Sequence, residues 1–272
     1  MGEAKRLIVK PISAKDARKI VRAIHYSGKV DTRSQLHFGI FLDGKCGGAI
    51  QLGPPIDKRR VLPTVKGTQW HEMLDLHRLA LADWLPRNGE SRCISVMMKL
   101  IRETYPQIQW VQSYADATQC GDGSIYRASG FHLIGINENK SMFRMPDGQV
   151  CCKIVFEPGF AGGNAGPGSI KAQYGAGGSE TAGVFLKRIG AEQLVGFQLR
   201  YIYFLDPTAR ERLTVPILPF SEIDRRGAGM YRGKTRVRSV DSDTSANHAE
   251  EGGAIPTRTL SESSPHISNA EE

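Results

Sequence analysis

Long apolar runs are what this chain most plainly lacks. Across 272 residues the uninterrupted apolar stretches are short pieces such as IGI, far below the roughly 18 residues that a membrane-spanning helix needs, and no membrane partner is expected. The opening MGEAKRLIVK has no apolar core of a secretory leader, which argues for a cytoplasmic protein. Cysteine is scarce as well: five residues, at 46, 93, 120, 151 and 152, with no C-x-x-C pair. An odd count without an export signal reads as reduced thiols and excludes a disulfide framework or a structural zinc ribbon. Acidic charge is thin over most of the chain and collected at its end. Residues 239–272 hold seven acids and one base, which leaves +14 on residues 1–238 out of a net +8. A body that basic, with an acidic tail, attracts polyanions and points towards nucleic acid.

What is present supports one main domain with a C-terminal extension. The hydrophobic share of 40% is enough for a real core. Ser13 and Asp16 form an S-x-x-D box opening a helix with Ala17, Ile20, Val21 and Ile24 on one face. That helix is expected to run to Ser27-Gly28, with His25 and Tyr26 on its last turn. QLHFGIFL (35–42), Asp43-Gly44 and KCGGAIQL (45–52) read as a β-hairpin. LDLHRLAL (74–81), IQWVQSYA (108–115), FHLIGI (131–136) and FQLRYIYFL (197–205) read as strands. A helix carries Ile94, Met97, Met98, Ile101 and Tyr105, and a shorter one carries Ile125, Tyr126 and Ala128 and closes at Gly130. The expected fold class is therefore α/β. Nine glycines between 159 and 183 read as a mobile insertion or linker between a core at 1–158 and an extension at 184–238 that completes the fold. The tail at 239–272 is expected to be disordered.

The loop PRNGESR (86–92) runs from a strand into a helix. Its free N–H groups and the positive end of the helix dipole suit phosphate oxygens, with Arg87 and Arg92 as charged donors. Ser91 is expected to cap that helix and to reach a phosphate as well. Arg78 alternates with Leu74 and Leu76, so its charge on an apolar face calls for a partner, preferably an anion near that loop. Residues 225–238, RRGAGMYRGKTRVR, carry six bases and no acid. Arg225, Arg226, Arg232, Lys234 and Arg236, with Tyr231 among them, suit phosphate contacts; Lys58, Arg59 and Arg60 form a smaller patch. His71-Glu72 is followed by His77, which breaks the H-E-x-x-H zinc pattern. A site from His25, Tyr26 and Asp116 remains open, and so does the metal.

IYRASGF (125–131), a helix with Tyr followed by Gly-Phe at a strand start, resembles the last motif of the GCN5-related N-acyltransferases. That resemblance implies a mixed, mostly antiparallel central sheet flanked by helices. It further implies acetyl-CoA or another activated donor held by Arg78, Arg87, Asn88, Gly89, Ser91 and Arg92, with Tyr126 as general acid. The loop departs from the family pattern by lacking the second small position and by carrying Glu90. A longer resemblance covers AIHYSGK (23–29), QLHFGIF (35–41), GGAIQLGPPIDKR (47–59), LPRNGESRCIS (85–95), SYADATQCGDGSIYRASGF (113–131) and VPILPFSEIDRRGAGMYRGK (215–234). These segments resemble the phage Mom family, acyltransferase-like enzymes that convert adenine in DNA to N6-carbamoylmethyladenine and so protect phage DNA from restriction. The resemblance implies double-stranded DNA as substrate, action in the host cytoplasm, and catalytic roles for His25, Tyr26 and Asp116. A flipped adenine would need an aromatic platform, for which Trp70, Trp84 and Tyr26 are candidates. An acetyltransferase acting on a protein or small amine is the competing reading, and the oligomeric state is left open, a homodimer included.

Overall fold

The computed structural model describes residues 2–157, 169–175 and 180–235. The chain divides into Met1–Arg238 and Ser239–Glu272; the expected disordered tail and Arg236 lie outside the described residues.

The elements of the first half are β1 (Ile8–Pro11), α1 (Ala14–Ile24), β2 (Leu36–Leu42), β3 (Lys45–Gly53), α2 (Lys58–Val61), β4 (Met73–Leu81), α3 (Gly89–Thr104), β5 (Trp110–Asp116) and α4 (Ser124–Ala128). There follow β6 (His132–Glu138), β7 (Met142–Arg144), β8 (Val150–Cys152), α5 (Ile170–Gln173), α6 (Ala182–Arg188), β9 (Glu192–Gln193), β10 (Phe197–Phe204), α7 (Ser221–Arg225), β11 (Met230–Tyr231) and β12 (Lys234–Thr235). Seven strands form one sheet in the order β1-β2-β3-β4-β5-β10-β6. Every neighbouring pair is antiparallel except β4–β5. The expected mixed, mostly antiparallel sheet with flanking helices is what the chain adopts. β10, from the extension, sits inside that sheet between β5 and β6.

Helix α3 covers one face. Cys93, Ile94, Met97, Met98 and Ile101 recur at helical spacing and meet Ile50, Leu52, Leu74, Leu76, Val111 and Ala115 in the main core. The other face receives α1, whose Ala17 and Val21 are fully buried against Ala49 and Ala80; small side chains on both sides let the helix lie close. Ser13 caps α1 through the Asp16 N–H. Part of the glycine-rich stretch expected to be a mobile linker is packed: Ile170, Tyr174 and Ala182 join Met145, Phe156, Phe185 and Leu186 in a satellite core. The apolar residues between the glycines supply what the glycine count conceals.

Two features of β4 position the site. First, β4 and β5 pair only from Met73–Trp110 to Asp75–Gln112, after which no pairing joins them. Second, Gln51 pairs with Arg78 but Leu52 with Leu76, which leaves His77 as a bulge residue. Its ring is held in place at Ser34 Oγ, 2.9 Å, and at Pro54 O, 3.0 Å. Alternation therefore changes phase at His77: Leu74, Leu76, Leu79 and Leu81 share the α3 side, whereas Arg78 joins Ala80 on the α1 side. The parity that grouped Arg78 with Leu74 and Leu76 is corrected by this one extra residue.

Candidate active site

The loop after β5 is built around Asp116. Its Oδ1 accepts from Thr118 N at 3.0 Å and from Asn139 Nδ2 at 3.3 Å, and its Oδ2 accepts from Gln119 Nε2 at 3.0 Å. The loop is pinned from two sides. Ala117 N donates to Phe197 O at 2.9 Å, at the start of β10, where a Cβ on Gly196 would stand 2.0 Å from Thr118 Oγ1. On the other side Arg232 N donates to Cys120 O at 2.8 Å and Gly233 N to Ala117 O at 3.1 Å. The carboxylate is thus held by a frame drawn from four regions of the sequence.

Into this frame come side chains from the end of α1. Helix α1 stops at Ile24, with His25 as its C-cap rather than within its last turn. The Ser27 backbone N–H donates to His25 Nδ1 at 3.2 Å, and Ser27 Oγ lies 2.8 Å from the same atom. That nitrogen therefore carries a lone pair, which places the proton on Nε2. Burial, assisted by the Arg78 guanidinium, pushes the imidazole down to about 3, so at neutral pH it is an uncharged hydrogen-bond donor. The Tyr26 ring lies 4.2 Å from that of His25 and is 49% exposed. Its hydroxyl is nonetheless desolvated, and the nearby Cys120 thiol and Asp116 raise it further. The ring offers a face to solvent while its polar end is turned inward. Cys120 is itself pushed up to about 12, chiefly by burial, and stays a thiol.

Tyr126 is buried on α4, 5.3 Å from the Tyr201 ring and 5.4 Å from Phe131. Gly123 ahead of it has φ +84°, and a Cβ there would lie 2.5 Å from Tyr201, so only glycine allows α4 to start so close to β10. Burial raises the Tyr126 phenol to about 12. Its hydroxyl interacts with that of Ser113, although the Ser113 Oγ lacks a partner in good hydrogen-bond geometry. Arg78 influences His25, Tyr26 and Tyr126 alike. Its Nε donates to Lys29 O at 2.9 Å and its Nη1 to His77 O at 2.6 Å. Arg78, expected to hold an anion near the loop before α3, braces the chain after α1 beside His25 and Tyr26 through two of its N–H groups.

The loop expected to bind an anion ends at a helix start. Asn88 stands at φ +63° ahead of the 16-residue α3, and the first-turn N–H groups of such a helix have no intrahelical acceptors. Ser91 is not the cap: its hydroxyl donates back to Asn88 O at 3.2 Å, and Asn88 caps without a side-chain bond. Gly89 is needed for packing, since a Cβ would meet Leu7 and Leu81 at 3.3 Å. Glu90 lies in the first turn and opposes a phosphate.

The basic patches differ in what their charges already do. Glu222 takes Arg225 at 2.5 Å and Arg226 at 2.9 Å and is drawn down to about 2 by them, so these two expected DNA contacts are paired. Arg232 and Lys234 sit on the β11–β12 hairpin beside Asp116, with Tyr231 43% exposed. Lys58 lies over the Trp70 ring at 4.9 Å, and Arg60 meets Asp57 at 3.4 Å. Trp70 leads into β4 where Met73 pairs with Trp110, so that patch is about 20 Å from Asp116 along β5. Trp84 stacks under Lys45 and presses on Gly47. Of the three aromatic candidates only Tyr26 touches the cluster. Among the described residues no group of three or more His, Cys, Asp or Glu is arranged to hold a metal, and no helix is long and apolar enough to cross a membrane.

Spacing did not point to Cys120, Gln119 or Asn139. Cys120 had a visible signal, standing four residues after Asp116 in one polar loop; Asn139 had none, because β6 reaches the loop only through the sheet.

Solved N-acetyltransferases resemble this architecture. The ribosomal-protein-S18-alanine N-acetyltransferase of Escherichia coli is 10% identical, with a TM-score of 0.40 over 74% of this chain and 94% of that one. An N-acetyltransferase from Staphylococcus aureus is 9% identical, with a TM-score of 0.39 over 73% and 97%. The sequence is more specific. Residues 6–222 match the model of the Mom protein family, and the methylcarbamoylase Mom of Escherichia phage Mu is 35% identical over 218 residues, 79% of this chain and 82% of that protein. The chain belongs to the Mom protein family.

Proposed function

We propose that this protein is a transferase that modifies adenine in double-stranded DNA to N6-carbamoylmethyladenine, acting in the host cytoplasm on phage DNA to mask it from restriction. Family membership gives the reaction class, and one observation carries it to this chain. Asp116, Tyr26, Cys120 and His25 meet where β4 and β5 part, next to a basic hairpin.

The exocyclic amine of adenine is a weak nucleophile because its lone pair is delocalised into the ring. In this reading Asp116, fixed by three hydrogen bonds, orients the amine and accepts the proton it loses as the new N6–carbon bond forms. His25 contributes a neutral Nε2–H donor. The Tyr126 phenol, protonated across the physiological range, is the group to hand a proton to whatever leaves the donor carbon. An activated donor of the acyl-CoA kind would bring its phosphates to the α3 N-terminus, with Arg87 and Arg92 alongside; bound there, it supplies the activated carbon. The carbamoylmethyl group joins N6 through CH2 rather than a carbonyl, so plain acetyl transfer does not complete the reaction.

The test is expression in a host that lacks the modification, digestion of its DNA to nucleosides, and mass spectrometry. An adenine adduct is expected for the native chain and its loss for Asp116→Ala. Unmodified DNA, or an adduct undiminished by that change, overturns the reading.

A further inference from the structure

The β11–β12 hairpin is part of the site's wall rather than a loose basic tail. Tyr231 pairs with Lys234, and between them Arg232 (φ +50°) and Gly233 (φ +75°) form a two-residue turn of the I′ type. Gly233 suits such a turn. Arg232 does not: a residue with a Cβ at positive φ is held there by its surroundings. Its own N–H is committed to Cys120 O, Gly233 N–H to Ala117 O, and Tyr231 bridges Gly121. The turn is therefore docked along the 117–121 loop that starts at Asp116.

The guanidinium this turn presents is unlike its neighbours. Arg225 and Arg226 are engaged by Glu222, and Arg78 is occupied by two carbonyl oxygens. Among the described residues Arg232 has no hydrogen-bond acceptor or carboxylate. It lies 5.2 Å over the Tyr231 ring, close enough to Cys120 to act on its thiol, which in turn neighbours the hydroxyl of Tyr26. A free cation thus stands at the rim of the cluster, restrained by an aromatic ring and a rigid turn. In a nucleotide the exocyclic amine and the phosphodiester are at opposite ends of one molecule. With the amine at Asp116, the phosphate is left at the rim.

We propose that Arg232 grips the phosphodiester adjoining the target adenine, so that the hairpin seats the nucleotide as well as attracting DNA. This rests on the DNA-adenine reading above. The discriminating variant is Arg232→Asn, since Asn-Gly is the favoured I′ pair and the charge is lost without breaking the turn. Binding is measured by anisotropy on an oligonucleotide with a single adenine, and again with a neutral methylphosphonate replacing the phosphate on either side of it. R232N is expected to bind the native oligonucleotide about tenfold more weakly with a melting temperature no lower than wild type, whereas R232K keeps most of the affinity. One methylphosphonate is expected to weaken wild type about tenfold and leave R232N unchanged. Native binding by R232N, or an equal methylphosphonate penalty for both proteins, overturns the assignment. The nucleoside assay tests the reaction and the binding cycle tests Arg232, so the two fail separately.

Discussion

The loop entering α3 and the loop leaving β5 lie at the carboxyl ends of two neighbouring parallel strands, yet they are made of different material. The first is local: a left-handed Asn88, a glycine packed on Leu7 and Leu81, and the first-turn N–H groups of a helix. The second is assembled from afar. Asp116 is framed by Asn139 and Gln119, the loop is held by Phe197 and Gly233, and His25 and Tyr26 arrive from α1. A backbone site can receive an anion whatever its neighbours; a side-chain cluster works only if several strands are in register. Substitutions in the second loop should therefore cost far more activity than those in the first.

The largest effect is expected from Asp116→Asn, which keeps the shape and much of the hydrogen bonding but removes the base. The adenine adduct should fall at least about 100-fold, read by nucleoside mass spectrometry, with an unaltered circular dichroism spectrum. Next is Tyr126→Phe. Losing a hydroxyl without a good partner should shift stability by less than about 1 kcal/mol, measured by urea titration, while adduct formation drops about tenfold or more; equal activity would remove the phenol from the mechanism. A third test concerns acid. His25 is held neutral down to about 3, whereas in the unfolded chain it takes up a proton near 6.5. Its contribution to stability is thus full above about pH 6.5 and is lost as the pH falls towards 3. His25→Asn should flatten that acid limb in a melting series, and an unchanged limb would falsify the neutral imidazole. The smallest effect belongs to Ser91→Ala. Because Ser91 is not the cap, melting should move by no more than about 0.5 kcal/mol equivalent; a loss above about 1 kcal/mol would restore its capping role.

The same contrast explains what the amino-acid sequence disclosed. Period-two and period-3.6 patterns located the main strands and α1 and α3 to within a few residues, because each buries one face against a common core. The loop before α3 was visible since its chemistry is contiguous. The convergence on Asp116 was not, and the long Mom-like segments drew attention to residues that spacing alone would have left as turn caps and packed aromatics. Arg78 was assigned to the wrong face because alternation counts residues and has no means of seeing a bulge. Arg225 and Arg226 looked like free charges because Glu222, three and four residues earlier, becomes their partner only once α7 is coiled. β10 was recognised as a strand, but nothing in its pattern told that it inserts between β5 and β6.

The extra residue in β4 has a genetic corollary. Excising His77 would restore strict alternation and leave the guanidinium that follows it opposite the leucines, at the cost of the ring lodged between Ser34 and Pro54. Removing any other codon of this strand would instead put its two halves out of step, so natural shortening of this segment should fall at this one position.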